Sequence, residues 1–243
     1  MSLPDGLLWA APILVLAYAI YGLTGFGSTI TGLPLLLFFQ PITVASPVMQ
    51  LFDIVAGLLV GVRSRKSAAL GELARLLPFS AIGIAAGLVV FSYAPEYLLR
   101  LTLGFFLISY SAWCFLNRGS APIVSSRWAI LAGLSGGVFT ALFGTGGPIY
   151  SIYLSRRLRD LAAFRASISI FVMTVGLCRL SWFVFEGYYF RGAMLTLLAY
   201  LFPCMLFGLF IGNALRGRVS AQTVLHVVWT MLLVAGLGLV FRQ

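Results

Sequence analysis

Apolar runs long enough to cross a lipid bilayer follow one another from residue 7 to residue 241, parted by short segments rich in arginine, glycine or proline. A membrane helix needs roughly 20 mostly apolar residues. Measured against that length, the runs read as helices at 7–23, 44–62, 68–91, 96–116, 128–143, 162–184, 192–214 and 221–241. The fold class this predicts is an all-α integral membrane protein. Two shorter apolar pieces, 28–39 and 147–155, would extend about 18 and 13 Å, well short of a hydrocarbon core about 30 Å thick. They read as the returning arms of re-entrant hairpins.

Glycine makes those hairpins. Gly22, Leu23, Thr24, Gly25, Phe26, Gly27, Ser28 and Thr29 interrupt the first apolar stretch, and Phe143, Gly144, Thr145, Gly146, Gly147 and Pro148 interrupt a later one. Glycine inside a helix costs about 1 kcal/mol relative to alanine. Non-helical backbone at membrane depth survives only where protein or a wet cavity satisfies its polar groups. A break made twice implies a use, although glycine also serves tight helix packing.

Half-helices starting near Ser28 and Gly147 would aim unpaired N–H groups and positive dipole ends toward the middle of the bilayer. The expected substrate-binding residues are therefore Gly25, Gly27, Ser28 and Thr29 in the first break and Gly144, Thr145, Gly146 and Gly147 in the second. Glycine admits close backbone approach, the hydroxyls (Thr31 included) supply donors, and Pro148 suits a first helical turn. The result is a compact, largely uncharged site for a small anion held between half-helix N-termini. Valine at Gly25 or Gly146 should abolish transport, with alanine the milder change.

The chain also repeats itself. At an offset of 119, Trp9-Ala10 falls on Trp128-Ala129, Gly25 on Gly144 and Gly27 on Gly146; at 125, Pro78, Gly83 and Gly87 fall on Pro203, Gly208 and Gly212. Residues 1–117 and 128–243 are then two repeats, each a hairpin followed by three helices, joined by a cytoplasmic link at 118–127. Net charge is +10, yet the bases lie between apolar runs rather than on an aromatic-interleaved face, which marks topology and not nucleic acid. Arg63, Arg65, Lys66, Arg75, Arg118, Arg127, Arg156, Arg157, Arg159, Arg165, Arg216 and Arg218 make 12 of the 16 bases and fall on one side of this parse. With that side cytoplasmic, both termini lie outside, and an odd number of crossings inverts the second repeat. The first six residues carry Asp5 and no base, so a cleaved signal peptide is not expected.

Two charges fall inside apolar helices. Asp53 is read either as a carrier of a coupling proton or as a structural acid, with Arg179 as its natural partner. Arg179 itself is read as an anion contact or as a snorkelling side chain. His226 is read as an interfacial histidine, and Gln50 and Asn213 as pathway or helix-packing polars. Cys114, Cys178 and Cys204 are isolated, without metal or redox spacing. Neither glycine stretch ends in the Gly-Lys-Ser/Thr of a phosphate-binding loop, and no metal or cofactor is expected.

With Gly25-Phe26-Gly27 and Gly144-Thr145-Gly146-Gly147-Pro148 in two tandem halves, the chain resembles, over essentially its full length, the TauE/SafE family of sulfite and organosulfur anion exporters. The resemblance implies eight transmembrane helices, a location in the cell inner (plasma) membrane, and transport of sulfite, sulfonates, thiosulfate or related anions. The first motif departs from the fuller glycine cluster usual in that family, since Ser28 and Thr29 stand there. The leading reading is a secondary transporter working by alternating access, not an enzyme. A passive anion channel is the alternative and would show flux without coupling or saturation. An intramembrane enzyme is the weaker one, because Asp53, Glu186 and His226 lack the spacing of an acid–base pair. The expected partners are a small anionic substrate and the bilayer, with no nucleic acid and with homo-oligomerisation left open.

Overall fold

The computed structural model describes residues 7–24, 27–61, 68–116, 124–215, 218 and 221–241. Among them lie ten α-helices and no strand. In order these are α1 (Leu7–Thr24), α2 (Ser28–Leu36), α3 (Ile42–Gly61), α4 (Leu70–Tyr93), α5 (Glu96–Leu116), α6 (Trp128–Phe143), α7 (Gly147–Arg157), α8 (Leu161–Phe185), α9 (Met194–Leu215) and α10 (Ala221–Phe241), with a 3₁₀ turn at Tyr188–Phe190 before α9.

Every helix read from the sequence is present, with ends moved by a few residues for visible reasons. α2 stops at Leu36 instead of 39 because the chain tightens there. Phe38 and Phe39 donate to the carbonyls of Leu35 and Leu36, three residues back, before Pro41. α3 starts two residues earlier than expected, at Ile42, where the Glu96 carboxylate of α5 accepts the Ile42 N–H at 3.1 Å. Among the described residues, five helices have the length and apolarity to cross a membrane: α3, α4, α5, α9 and the Ala166–Phe185 part of α8. Trp9–Thr24, Trp128–Phe143 and His226–Phe241 are apolar but shorter.

The chain gathers into two compact units. One comprises Met1–Asp53, Pro95–Arg118 and Phe183–Gln243; the other comprises Ile54–Ala94 and Gly119–Trp182. Each unit draws helices from both 1–117 and 128–243, so the compact bodies differ from the sequence halves.

In the first unit α1 lies along α9. A Cβ on Gly208 would meet the Val15 carbonyl oxygen and Tyr18, and one on Gly212 would meet Ala19 and Gly22. α5 and α10 meet at Gly104 and Gly236 in the same way, and Ser111 Oγ donates to the Trp229 carbonyl at 2.7 Å. In the second unit α4 lies along α6, with Gly83 against Leu134 and Gly137, and Gly87 against Val138 and Ala141. Lipid gives helices no hydrophobic reason to associate, so close backbone approach through small residues carries the packing. Leu76, Ala141, Tyr150, Leu154, Phe171 and Val175 fill the core beside the second seam.

Candidate functional site

Each glycine break lies inside one unit, and the two are built differently. In the first, α2 begins directly after Gly27, whose φ of 98° and ψ of 1° lie in the left-handed region, open to glycine without steric cost. Gly25 lies outside the described residues. Ser28, Thr29 and Thr31 are buried. Thr31 Oγ1 bonds back to the Gly27 carbonyl at 2.9 Å.

The other two hydroxyls turn to Asp53. Ser28 donates to Oδ1 and Thr29 to Oδ2, while Tyr18 Oη donates to Oδ1 at 2.8 Å and lies 3.3 Å from the Met49 carbonyl. An ionised carboxylate only accepts hydrogen bonds, so three donors from α1 and α2 suit it. Its place at the first turn of α2 also puts negative charge where the helix dipole favours it. The protein's own carboxyl group therefore occupies the Ser28 and Thr29 hydroxyls expected for substrate. Tyr18 was not singled out from the sequence; the available signal was a tyrosine inside an apolar helix, whose buried hydroxyl needs a partner.

In the second break the left-handed turn comes at the end of α6. Gly144, at φ 72°, donates to the Thr140 carbonyl at 2.8 Å, and Thr145 donates to Phe139 at 3.3 Å, which closes the helix as a glycine C-cap. Gly146 is walled in. A Cβ there would collide with Thr140 Oγ1 and the Gly136 carbonyl oxygen, and would lie 2.9 Å from Tyr150 Cε2. Gly147 is open: among the described residues a Cβ there would meet only Val172 Cγ2, at 3.9 Å. Pro148 stands in the first turn of α7, as expected.

Thr145 is 2% exposed, and its hydroxyl is buried without a hydrogen-bond partner among the described residues. Burying an unbonded hydroxyl costs about 1–3 kcal/mol, so the break holds an unmet donor just ahead of α7. Arg179 is fully buried. Its Nε donates to the Ala141 carbonyl at 2.9 Å and its Nη2 to Leu142 at 3.3 Å. It does not snorkel. It caps the carbonyl end of α6, where a cation offsets the dipole, and so fixes a positive charge next to the break.

The far end of α7 is anchored by Glu72 and Tyr153, not singled out from the sequence, and by Arg157, read there only as a marker of topology. Arg157 Nη2 pairs with Glu72 of α4 at 2.6 Å, Tyr153 Oη donates to the same carboxylate at 2.8 Å, and Arg157 Nη1 donates to the Val124 carbonyl at 3.2 Å. Elsewhere, His226 packs against Phe115 and Trp229, Gln50 is buried and Asn213 is exposed. Among the described residues no cluster of His, Cys, Asp and Glu could hold a metal ion.

Long apolar helices, packed by glycine and broken at two glycine-rich points, define a polytopic helical membrane protein. The chain belongs to the sulfite exporter TauE/SafE family, which it matches over residues 10–239. It is 25% identical over 192 residues to the probable inner membrane transporter protein TsaS of Comamonas testosteroni, an overlap covering 78% of this chain and 80% of that protein. No solved structure matches it. The protein is thus a membrane transporter of this family, multi-pass and of the inner membrane.

Proposed function

We propose that the chain is a secondary transporter for a small sulfur-containing anion of the sulfite, sulfonate or thiosulfate class, with the anion taken at the second break. The observation that carries this is Thr145, a buried hydroxyl without a hydrogen-bond partner among the described residues, two positions ahead of the 11-residue α7. Unpaired N–H groups of a first helical turn, that hydroxyl and the nearby Arg179 charge all favour an acceptor. Sulfur oxyanions carry several acceptor oxygens. The family is one of transporters, which favours transport over an enzymatic reading.

Eight crossings in two inverted repeats, moving by alternating access, complete the proposal. Helix ends support it: α2 and α7 start at Ser28 and Gly147, and α3 and α8 at Ile42 and Leu161, both 119 apart, while α5 and α10 are 125 apart at both ends. The glycine seams keep the same register. Gly83 meets Leu134 and Gly137, and Gly208, 125 later, meets Val15 and Tyr18, each 119 earlier. Cysteines at Ser155 and Glu186, in a cysteine-free background, are expected to differ, with Glu186→Cys labelled by impermeant reagents outside intact cells and Ser155→Cys protected. Equal labelling would remove the inverted topology.

Proteoliposomes should show saturable uptake and counterflow with at least one of sulfite, sulfoacetate, thiosulfate and sulfate. Flux without either would make the protein a channel. Thr145→Val should raise the half-saturating concentration about tenfold, the loss of one hydrogen bond to a charged partner at roughly 1.5 kcal/mol. Its thermal midpoint should hold or rise, since the hydroxyl bonds no described group. Unchanged half-saturation would move the anion site away from Thr145.

A further inference from the structure

We propose that Asp53 is the proton carrier of the transport cycle, so that the two breaks divide the work: proton at the first, anion at the second. This rests on the anion reading above. The offset of 119 sets Ser28 on Gly147, Asp53 on Val172 and Val60 on Arg179. The second unit bears this out independently, because the residue nearest a Cβ on Gly147 is Val172. Where α3 brings a carboxylate to the start of α2, α8 brings a valine to the start of α7. One break is furnished with an acid and the other with a base and an unused donor.

A carboxylate already fixed at the start of α2 occupies the donors that an incoming anion would need, and it repels that anion. The group it can accept is a proton. Protonation turns one Asp53 oxygen from acceptor to donor, and the Ser28 and Thr29 oxygens, each with lone pairs, can accept in return. A metal cation would instead face three hydroxyls already donating to the carboxylate and the positive end of α2. Among the groups facing Asp53 within the first unit are Tyr18 and Tyr21 of α1 and the Ser28 and Thr29 hydroxyls of α2. The step balances as a transfer: water on one side gives a proton to an Asp53 oxygen, and after access changes the same proton leaves to water on the other side.

The test uses thiosulfate, which stays ionised through the neutral range, so its own protonation does not respond to the gradient. In wild-type proteoliposomes a pH gradient should change the rate of thiosulfate uptake. In Asp53→Asn that response should vanish while thiosulfate counterflow persists. A folded Asp53→Asn protein that still answers the gradient like wild type overturns the proposal, as does a wild type with counterflow and no response. Counterflow absent for every anion tested would overturn the substrate reading instead, and the proton site is then decided by infrared difference spectra on acidifying the protein in nanodiscs. A carboxyl C=O band lost in Asp53→Asn is expected, and its absence from wild type overturns the proposal. Should Asp53→Asn fail to fold, Ser28→Ala with Thr29→Val keeps the carboxyl. Loss of two hydrogen-bond partners should change the frequency of that C=O band, and a band unmoved from wild type counts against the assignment.

Discussion

Gly146→Ala is expected to reduce transport to background, while Gly147→Ala yields folded protein in wild-type amount. The two glycines are adjacent, and their surroundings separate them. A single methyl at Gly146 runs into the Gly136 carbonyl oxygen and Thr140 Oγ1, with the Tyr150 ring 2.9 Å away. Thr140 cannot swing aside freely, because its hydroxyl bonds to Gly136 at 2.8 Å and sits 3.3 Å from Tyr150 Oη. Overpacking of this sort costs about 1–3 kcal/mol, and its relief must displace the turn that presents Thr145. At Gly147 the added carbon meets, among the described residues, only Val172, at 3.9 Å, which is ordinary contact. Membrane yield, thermal midpoint and thiosulfate counterflow of the two variants decide the matter, and wild-type counterflow in Gly146→Ala would reduce that glycine to a replaceable spacer. From the sequence alone alanine reads as the mild change and valine as the severe one; the wall around Gly146 makes the first methyl the damaging one.

The helices were legible because bilayer thickness leaves little choice of length and because proline, glycine and arginine punctuate the runs. Both breaks were legible as well, since a costly residue repeated in register demands a reason. Partnership was not. Ser28 and Thr29 reach a carboxylate 25 and 24 positions along the chain, and no local pattern links α2 to α3. Their presence in the first break has a physical account in the Asp53 cluster. Arg179 invited an acid as partner, yet two of its bonds go to backbone carbonyls, an acceptor every residue has and no pattern can mark. Thr145 stood among eight equal candidates until burial and the absence of a described partner set it apart. The exchange of helices between the two compact units was invisible for the same reason, because one apolar run advertises no preference for another.

Replacing Arg179 by methionine is expected to cost both stability and anion affinity, and the lysine variant separates the two. Methionine fills much of the buried space but withdraws the donors from Ala141 and Leu142. Two hydrogen bonds from a charged donor, at about 1.5–3 kcal/mol each, put the loss near 3 kcal/mol or above. The last turn of α6 would then fray, and the Gly144 turn that follows it would lose its fixed position. The positive charge next to the break would disappear too, and the half-saturating concentration for thiosulfate should rise at least about tenfold, which corresponds to 1.4 kcal/mol. Lysine keeps the charge and loses the planar fork that reaches two carbonyls at once. Arg179→Lys should therefore bind the anion nearly as wild type does while unfolding at a lower temperature. A lysine variant as weak in anion binding as the methionine variant would show that Arg179 acts by holding α6 in place and not by its charge. A methionine variant with the thermal midpoint and half-saturation of wild type would remove Arg179 from both roles.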